Sequence, residues 1–215
     1  MKMTASDLIF QSFSVTLLKI HKRKNEFMKY IALDIGNVCI QINHVSCYAK
    51  AGFTGTPPQE VMFLAREYEC GRLTEDEFWT RFQEFAPDKT KSRQELENDF
   101  DSILVQPVEG MEDLISMLPL FNIQPVFFSD ISARHLKLVR RMFRASAMVP
   151  DGIYSFEVGA MKPEDAMFEA FEKRFGVPAL YVDDRKELIE AARKRGWNAI
   201  VFTDSKALSS VIQNC

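Results

Sequence analysis

Two apolar runs, one near each end of the chain, stop abruptly on an acid. Tyr30-Ile-Ala-Leu-Asp-Ile-Gly-Asn-Val38 passes from apolar residues to Asp34 and then to small, turn-forming ones, and Ala179-Leu-Tyr-Val-Asp-Asp184 repeats the pattern. Short apolar runs without alternation are the mark of strands buried on both faces, as in parallel sheets. Strands that end on carboxylates gather acids at the carboxyl edge of such a sheet, where open α/β folds take their ligands. Between the two runs, Val126-Phe-Phe-Ser129 ends a third on a hydroxyl, and Lys162-Pro163 sets a cation ahead of a helix. Acids, hydroxyl and lysine together suit Mg²⁺ and a phosphate group.

The remaining punctuation predicts alternating elements. Thr74-Glu-Asp-Glu77 fits a capping box, opening a helix through Phe78, Trp79, Phe82 and Phe85, with Gly71 just before it as the stop of the preceding helix. A charged helix is expected over 92–104, ended by Pro107. From Gly110 onward we expect helices at 111–118, 133–143, 164–175 and 186–195, and strands at 124–129, 179–182 and 199–202. Arg134, Lys137, Arg140, Arg141 and Arg144 read as the solvated face of the second of these helices.

At 215 residues and 47% apolar content, the chain can bury a full core with room for a modest insertion. A formal charge of −3 argues against nucleic acid as the main partner. No apolar run reaches the length of a membrane span. Cys39, Cys47, Cys70 and Cys215 show no CxxC spacing and read as reduced thiols of a cytoplasmic protein. Residues 1–27 have a different texture, rich in Lys and broken in their apolar pattern. They are read as a mispredicted start or a loosely ordered extension, with an amphipathic helix on Leu8, Ile9, Phe13, Leu17 and Ile20 as the alternative.

The order of these motifs resembles the haloacid dehalogenase-like (HAD) superfamily, whose phosphatases carry a strand-end nucleophilic Asp, a strand-end Ser or Thr, a Lys often followed by Pro, and an acidic pair. Asp34, Ser129, Lys162 and Asp183-Asp184 match in order and approximate spacing, from about Lys29 to the C-terminus. The resemblance implies a Rossmann-like α/β fold, with a parallel sheet flanked by helices. The core would comprise 28–43 and 106–215, with 44–105 a small inserted helical cap. It also implies an Asp34 nucleophile, a Mg²⁺ site from Asp34, the Gly36 carbonyl, Asp183 and Asp184, and a phosphate cradle from Ser129, Asp130, Lys162 and the backbone N–H groups of Ile35 and Gly36. Taken singly, each residue has an ordinary explanation: a turn Asp, a turn hydroxyl, a surface Lys, acids at a helix start. Their joint order argues against four coincidences.

Three departures bear on activity. Gly36 stands where the family's phosphatases carry a general acid and base, whose loss costs on the order of 10²–10⁴-fold. Asp130 puts a negative charge beside the anion site, and Leu188 replaces a frequent Asn. The Asp-Ile-Gly-Asn-Val string is similar to a subgroup that includes sugar-1-phosphate phosphatases, whose leaving groups need less protonation. The reading is therefore a Mg²⁺-dependent phosphatase for a small phosphorylated metabolite, a sugar phosphate being the first candidate. A non-catalytic phosphate-binding member and a 2-haloacid dehalogenase are the alternatives. His44, near the start of the insertion, is a candidate substitute acid, although a lone His there is more often structural. Because residues 1–27 contribute no core on this reading, a chain shortened to begin at Met28 should melt at the same temperature as the full chain in a calorimetric scan. A transition several degrees lower would show a docked helix instead.

Overall fold

The computed structural model describes residues 29–213, so the readings made of residues 1–27 lie outside the described residues. Five parallel strands form one sheet. The central strand β1 (Lys29–Leu33) lies between β4 (Ile123–Ser129) and β6 (Leu180–Asp183), with β5 (Gly152–Tyr154) and β7 (Ala199–Val201) at the edges. In register, Leu33 faces Phe127 on one side and Val182 on the other. The next residue on each strand, Asp34, Phe128 and Asp183, therefore stands at the same level of the sheet edge. The chain order of the strands reverses on either side of β1, which opens a crevice at its carboxyl end.

Both faces are covered, as the apolar runs require. Ile31, Leu33, Phe127 and Val182 point to one side, against α5 (Met111–Met117), α6 (Ala133–Met142) and α10 (Ser205–Gln213). Ala32, Val126, Phe128 and Tyr181 point to the other, against α8 (Asp165–Phe175) and α9 (Lys186–Lys194). The Phe128 ring lies 5.3–5.7 Å from those of Tyr181, Phe168, Phe171 and Trp197. Burying a side chain of this size contributes about 1.5–3 kcal/mol, so this cluster firmly anchors the strand that ends in Ser129.

Between β1 and β4 the chain leaves the sheet. The strand β2 (Ile40–Ile42) pairs antiparallel with β3 (Leu104–Pro107), and four helices lie between them: α1 (His44–Lys50), α2 (Gln59–Glu69), α3 (Glu75–Phe85) and α4 (Arg93–Asp101). These helices close a separate apolar cluster around Phe78, Trp79, Phe82 and Phe100. Thr74 and Glu77 form the capping box in full, and Ser92 with Glu95 forms a second. The helix expected over 92–104 is shorter. It ends at Asp101 because Ile103 accepts the Asn43 N–H at 2.9 Å and Leu104 turns into the ladder with Ile42.

The insertion is fastened to the sheet domain by named contacts. Arg134, at the start of α6, makes a forked pair with Asp101 (2.7 and 2.8 Å) and also binds Glu75 at 2.7 Å. This corrects the reading of the basic residues as one solvated face. Arg134 is an anchor, Arg140 donates to the carbonyls of Ser146 and Val149, and Arg144 lies beyond the end of the helix. Ser155, at the start of the short helix α7 (Ser155–Val158), donates to the Glu69 carbonyl at 2.6 Å and accepts the Ile131 N–H at 2.9 Å. Arg72 reaches the Gly159 carbonyl at 2.9 Å.

Gly71 permits that approach. Its φ is +66°, and a Cβ built there would lie 2.2 Å from the Phe156 carbonyl oxygen. Gly71→Ala must pay roughly 1–3 kcal/mol for the backbone conformation and must also push α7 away from α2. Gly159, at φ +81° with nothing within 4 Å of its added Cβ, carries only the first cost. Urea unfolding should therefore show Gly71→Ala clearly less stable than Gly159→Ala. Equal losses would mean that the two bodies do not meet tightly at Gly71.

Candidate active site

The strand ends bring Asp34, Ser129 and Asp183 together with Lys162 at the crevice beside β1. Lys162 is 5% exposed. Its ammonium donates to Asp34 Oδ1 at 2.9 Å, Asp183 Oδ2 at 2.7 Å and the Phe128 carbonyl at 3.0 Å. The rings of Phe128 and Tyr181 lie 5.3 and 5.7 Å from it. Burial pulls the lysine down, but the charges of Asp34 and Asp183 outweigh it and hold the ammonium well above its ordinary range.

Asp34 is buried, and burial pushes its carboxyl up to about 7 against the pull of Lys162, with the Asp183 charge adding to the rise and the Ser129 hydroxyl opposing it. Asp183 is wholly buried, and its oxygens are engaged by the protein. Oδ1 accepts the Arg185 N–H at 3.0 Å, while Oδ2 takes the Tyr181 hydroxyl as well as Lys162. Asp184 is only half-buried, and its Oδ2 accepts the Asn37 amide at 3.0 Å. Asp34, Asp183 and Asp184 each offer an oxygen within 4.8 Å of the others. Such a cluster of hard oxygen donors fits a divalent ion. With Asp183 so heavily engaged, Asp34 and Asp184 are the freer pair of ligands.

The loop after Asp34 is shaped by two bonds to Ile40: its N–H goes to the Ile35 carbonyl at 2.9 Å, and its carbonyl takes the Asn37 N–H at 2.7 Å. Neither uses the Gly36 carbonyl. Asn37 sits in the left-handed region at φ 53°, which Asn tolerates. Its side chain accepts the Ile42 N–H and donates to Asp184, joining the turn to the acidic pair. Gly36 needs no glycine-only backbone. A Cβ there would instead sit 3.1 Å from Ile42 Cδ1, so any side chain at this position must displace the end of Ile42 slightly.

Asp130 serves the backbone: Oδ1 accepts the Lys162 N–H at 2.9 Å, and Oδ2 is buried without a partner. Burial raises its carboxyl. Asp34, Gly36, Asn37, Ser129, Asp130, Lys162 and Asp184 line one cavity of about 300 Å³, whose wall also includes His44, Glu69, His135, Arg185 and Leu188, while Asp183 lies beneath it. Burial lowers both histidines, His135 to about 4, so both are neutral at neutral pH. Glu69 is raised to about 8 by burial, with the Asp130 charge adding to it. Sequence reasoning missed Glu69, Asn37, His135 and Arg185. Only Asn37 left a signal, its place between Gly36 and Val38 in a turn that favours Asn.

No protein-family model matches the chain, and no curated protein matches it by sequence. Solved structures do match by shape. A HAD family enzyme from Bacteroides thetaiotaomicron, in its magnesium complex, superposes with a TM-score of 0.74 at 21% identity, over 86% of this chain and 98% of that one. The same enzyme with magnesium and inorganic phosphate gives 0.71 at 20% identity, over 83% and 96%. The L-2-haloacid dehalogenase of Xanthobacter autotrophicus gives 0.57 at 13% identity, over 87% and 83%. The chain has the HAD-like fold.

Within that fold, Lys162 is the counter-charge to the buried acids. Lys162→Met should cost about 3–5 kcal/mol, because it strands Asp34 and Asp183 without a cation. The sign with pH follows from Asp34. A carboxyl raised above its unfolded value of 3.8 destabilises the fold increasingly as pH climbs through that window. Losing Lys162 raises it further, so the deficit against the parent in urea titrations should be larger at pH 8 than at pH 5. A deficit independent of pH would remove the charge argument.

Proposed function

We propose that the protein is a Mg²⁺-dependent phosphatase acting on a small phosphorylated metabolite through an aspartyl phosphate on Asp34. The observation that carries this reading is the Asp34–Lys162–Asp183 arrangement with Asp184 beside it. It combines a nucleophile, a fixed cation and a set of oxygen ligands at one cavity. The magnesium and phosphate held by the Bacteroides enzyme of the same fold support it. Asp34, Asp184 and the Gly36 carbonyl would hold Mg²⁺, which when bound offsets charge on the phosphate oxygens. Lys162 orients Asp34 and keeps a positive charge beside it, and Ser129 and the N–H groups of Ile35 and Gly36 receive the transferring group.

The ester P–O bond breaks as Asp34 attacks phosphorus, and water then attacks the acyl phosphate to return phosphate and Asp34. A cavity of this size fits a metabolite such as a sugar phosphate. The helices among the described residues are not long and apolar enough to cross a membrane, and Cys39, Cys47 and Cys70 are unpaired and buried, which supports a reducing, cytoplasmic setting. The acidic trio favours phosphatase over dehalogenase chemistry, since a carbon–halogen bond needs no ion to offset charge.

Release of phosphate from an aryl phosphate should require Mg²⁺ and should vanish in Asp34→Asn, with the circular dichroism spectrum unchanged. Turnover unaffected by either change would remove Asp34 from the chemistry. Dehalogenation of 2-chloropropionate without metal would favour the other branch.

A further inference from the structure

The loop after Asp34 offers no acid to protonate the departing oxygen, since Gly36 carries no side chain and one added there would press on the Ile42 methyl. The cavity nevertheless holds a carboxyl of another origin. Glu69 ends α2 in the insertion and lines the same cavity as Asp34. Its carboxyl makes no hydrogen bond or ion pair among the described residues, while its backbone carbonyl is pinned by Ser155 and the chain two residues on is seated against Phe156. Glu69 is half-buried, so this unpartnered carboxyl on a fixed backbone is left open to the cavity, in which Gly36 supplies no acid.

We propose that Glu69 is the proton donor to the leaving group and the base that takes the proton back from water. The proposal rests on the phosphatase reading. In the first half, Asp34 forms a bond to phosphorus and the ester P–O bond breaks, its electron pair going to the leaving oxygen. That oxygen takes the Glu69 proton, giving an alcohol, aspartyl phosphate and the Glu69 carboxylate. In the second half, water gives its proton to Glu69 as its oxygen joins phosphorus, and the Asp34–phosphate bond breaks. The products are inorganic phosphate, the Asp34 carboxylate and protonated Glu69.

The surroundings keep the acid form in place at neutral pH. Asp130 on the loop after β4 and Tyr48 on α1 are the groups that interact with it electrostatically, one a carboxyl and the other an un-ionised phenol. The cavity's cations are held elsewhere, Lys162 by Asp34 and Asp183, and Arg185 by Glu187. His44 and His135 are neutral, and Glu157 on α7 is exposed to solvent. Asp34 and Asp184 line the same cavity, and Asp130, with one oxygen on the Lys162 N–H and the other sealed in, is closed to a leaving group.

The test compares Glu69→Gln, nearly isosteric, with the parent on an alkyl phosphate and on an aryl phosphate of low leaving-group basicity. The alkyl ester should lose about 10²-fold or more in kcat/KM, and the aryl ester only several-fold. The fall of kcat/KM above about pH 8 in the parent should disappear in the variant. Glu69→Asp should restore part of the alkyl activity. Equal losses on both esters, or an unchanged alkaline limb, would overturn the proposal while leaving the phosphatase reading intact. A parent that releases phosphate from neither ester overturns both. Should the variant fold poorly, the carboxyl ¹³C resonance of Glu69 in the parent decides. A midpoint near 8 supports the donor, and one near the ordinary 4.5 overturns it.

Discussion

The Lys162 ammonium ties together the ends of three neighbouring strands. Its acceptors are Asp34 after β1, the Phe128 carbonyl in β4 and Asp183 at the end of β6. Parallel strands have no hairpins to align their ends, and like-charged carboxylates at one edge repel. A single buried cation solves both problems, holding the ends level and letting Asp34 and Asp183 approach. The π faces of Phe128 and Tyr181 add to its stabilisation. The aromatic cluster under the sheet therefore shapes the site above it, since the same Phe128 whose ring packs against Trp197 also presents the carbonyl that Lys162 binds.

The second determinant is the seat of the insertion. Arg134 joins α6 of the sheet domain to Asp101 and Glu75 of the inserted helices, and Ser155 joins α7 to the end of α2. Apolar contacts join the two as well: the Phe100 ring of the insertion's aromatic core stacks on the buried His135 of α6 at 4.8 Å, and Arg134 lies over the Trp79 ring. The seat of the insertion thus combines charged, hydrogen-bonded and aromatic contacts, and it fixes where α2 meets the cavity.

Much of this was legible in the sequence, and for a physical reason. Asp34, Ser129 and Asp183 follow uniform apolar runs, and a run that ends in a polar group betrays both a strand and its edge. The Thr74–Glu77 box is likewise a local device, complete within four residues. The parts that escaped depend on distance. Arg134 looks like one of several surface cations because its partners lie 33 and 59 residues away. Glu69 ends an amphipathic helix with no local mark, and only the docking of that helix against Ser155 turns it towards the cavity. The three-residue strands Ile40–Ile42 and Gly152–Tyr154 are too short to carry a period. The helix expected to run to 104 was cut short by pairing with a strand some sixty residues earlier.

The contact between Gly36 and Ile42 also makes two positions of the chain answer to one another. Ile42 belongs to β2, the strand through which the chain departs for the inserted helices, and its methyl lies over the loop that follows Asp34. A side chain added at position 36 must displace the Ile42 methyl by a few tenths of an ångström, so the residue at 42 sets how easily anything larger than glycine is accommodated at 36. The choice of chemical group beside the nucleophile and the packing of the strand by which the chain leaves the sheet domain thereby bear on one another.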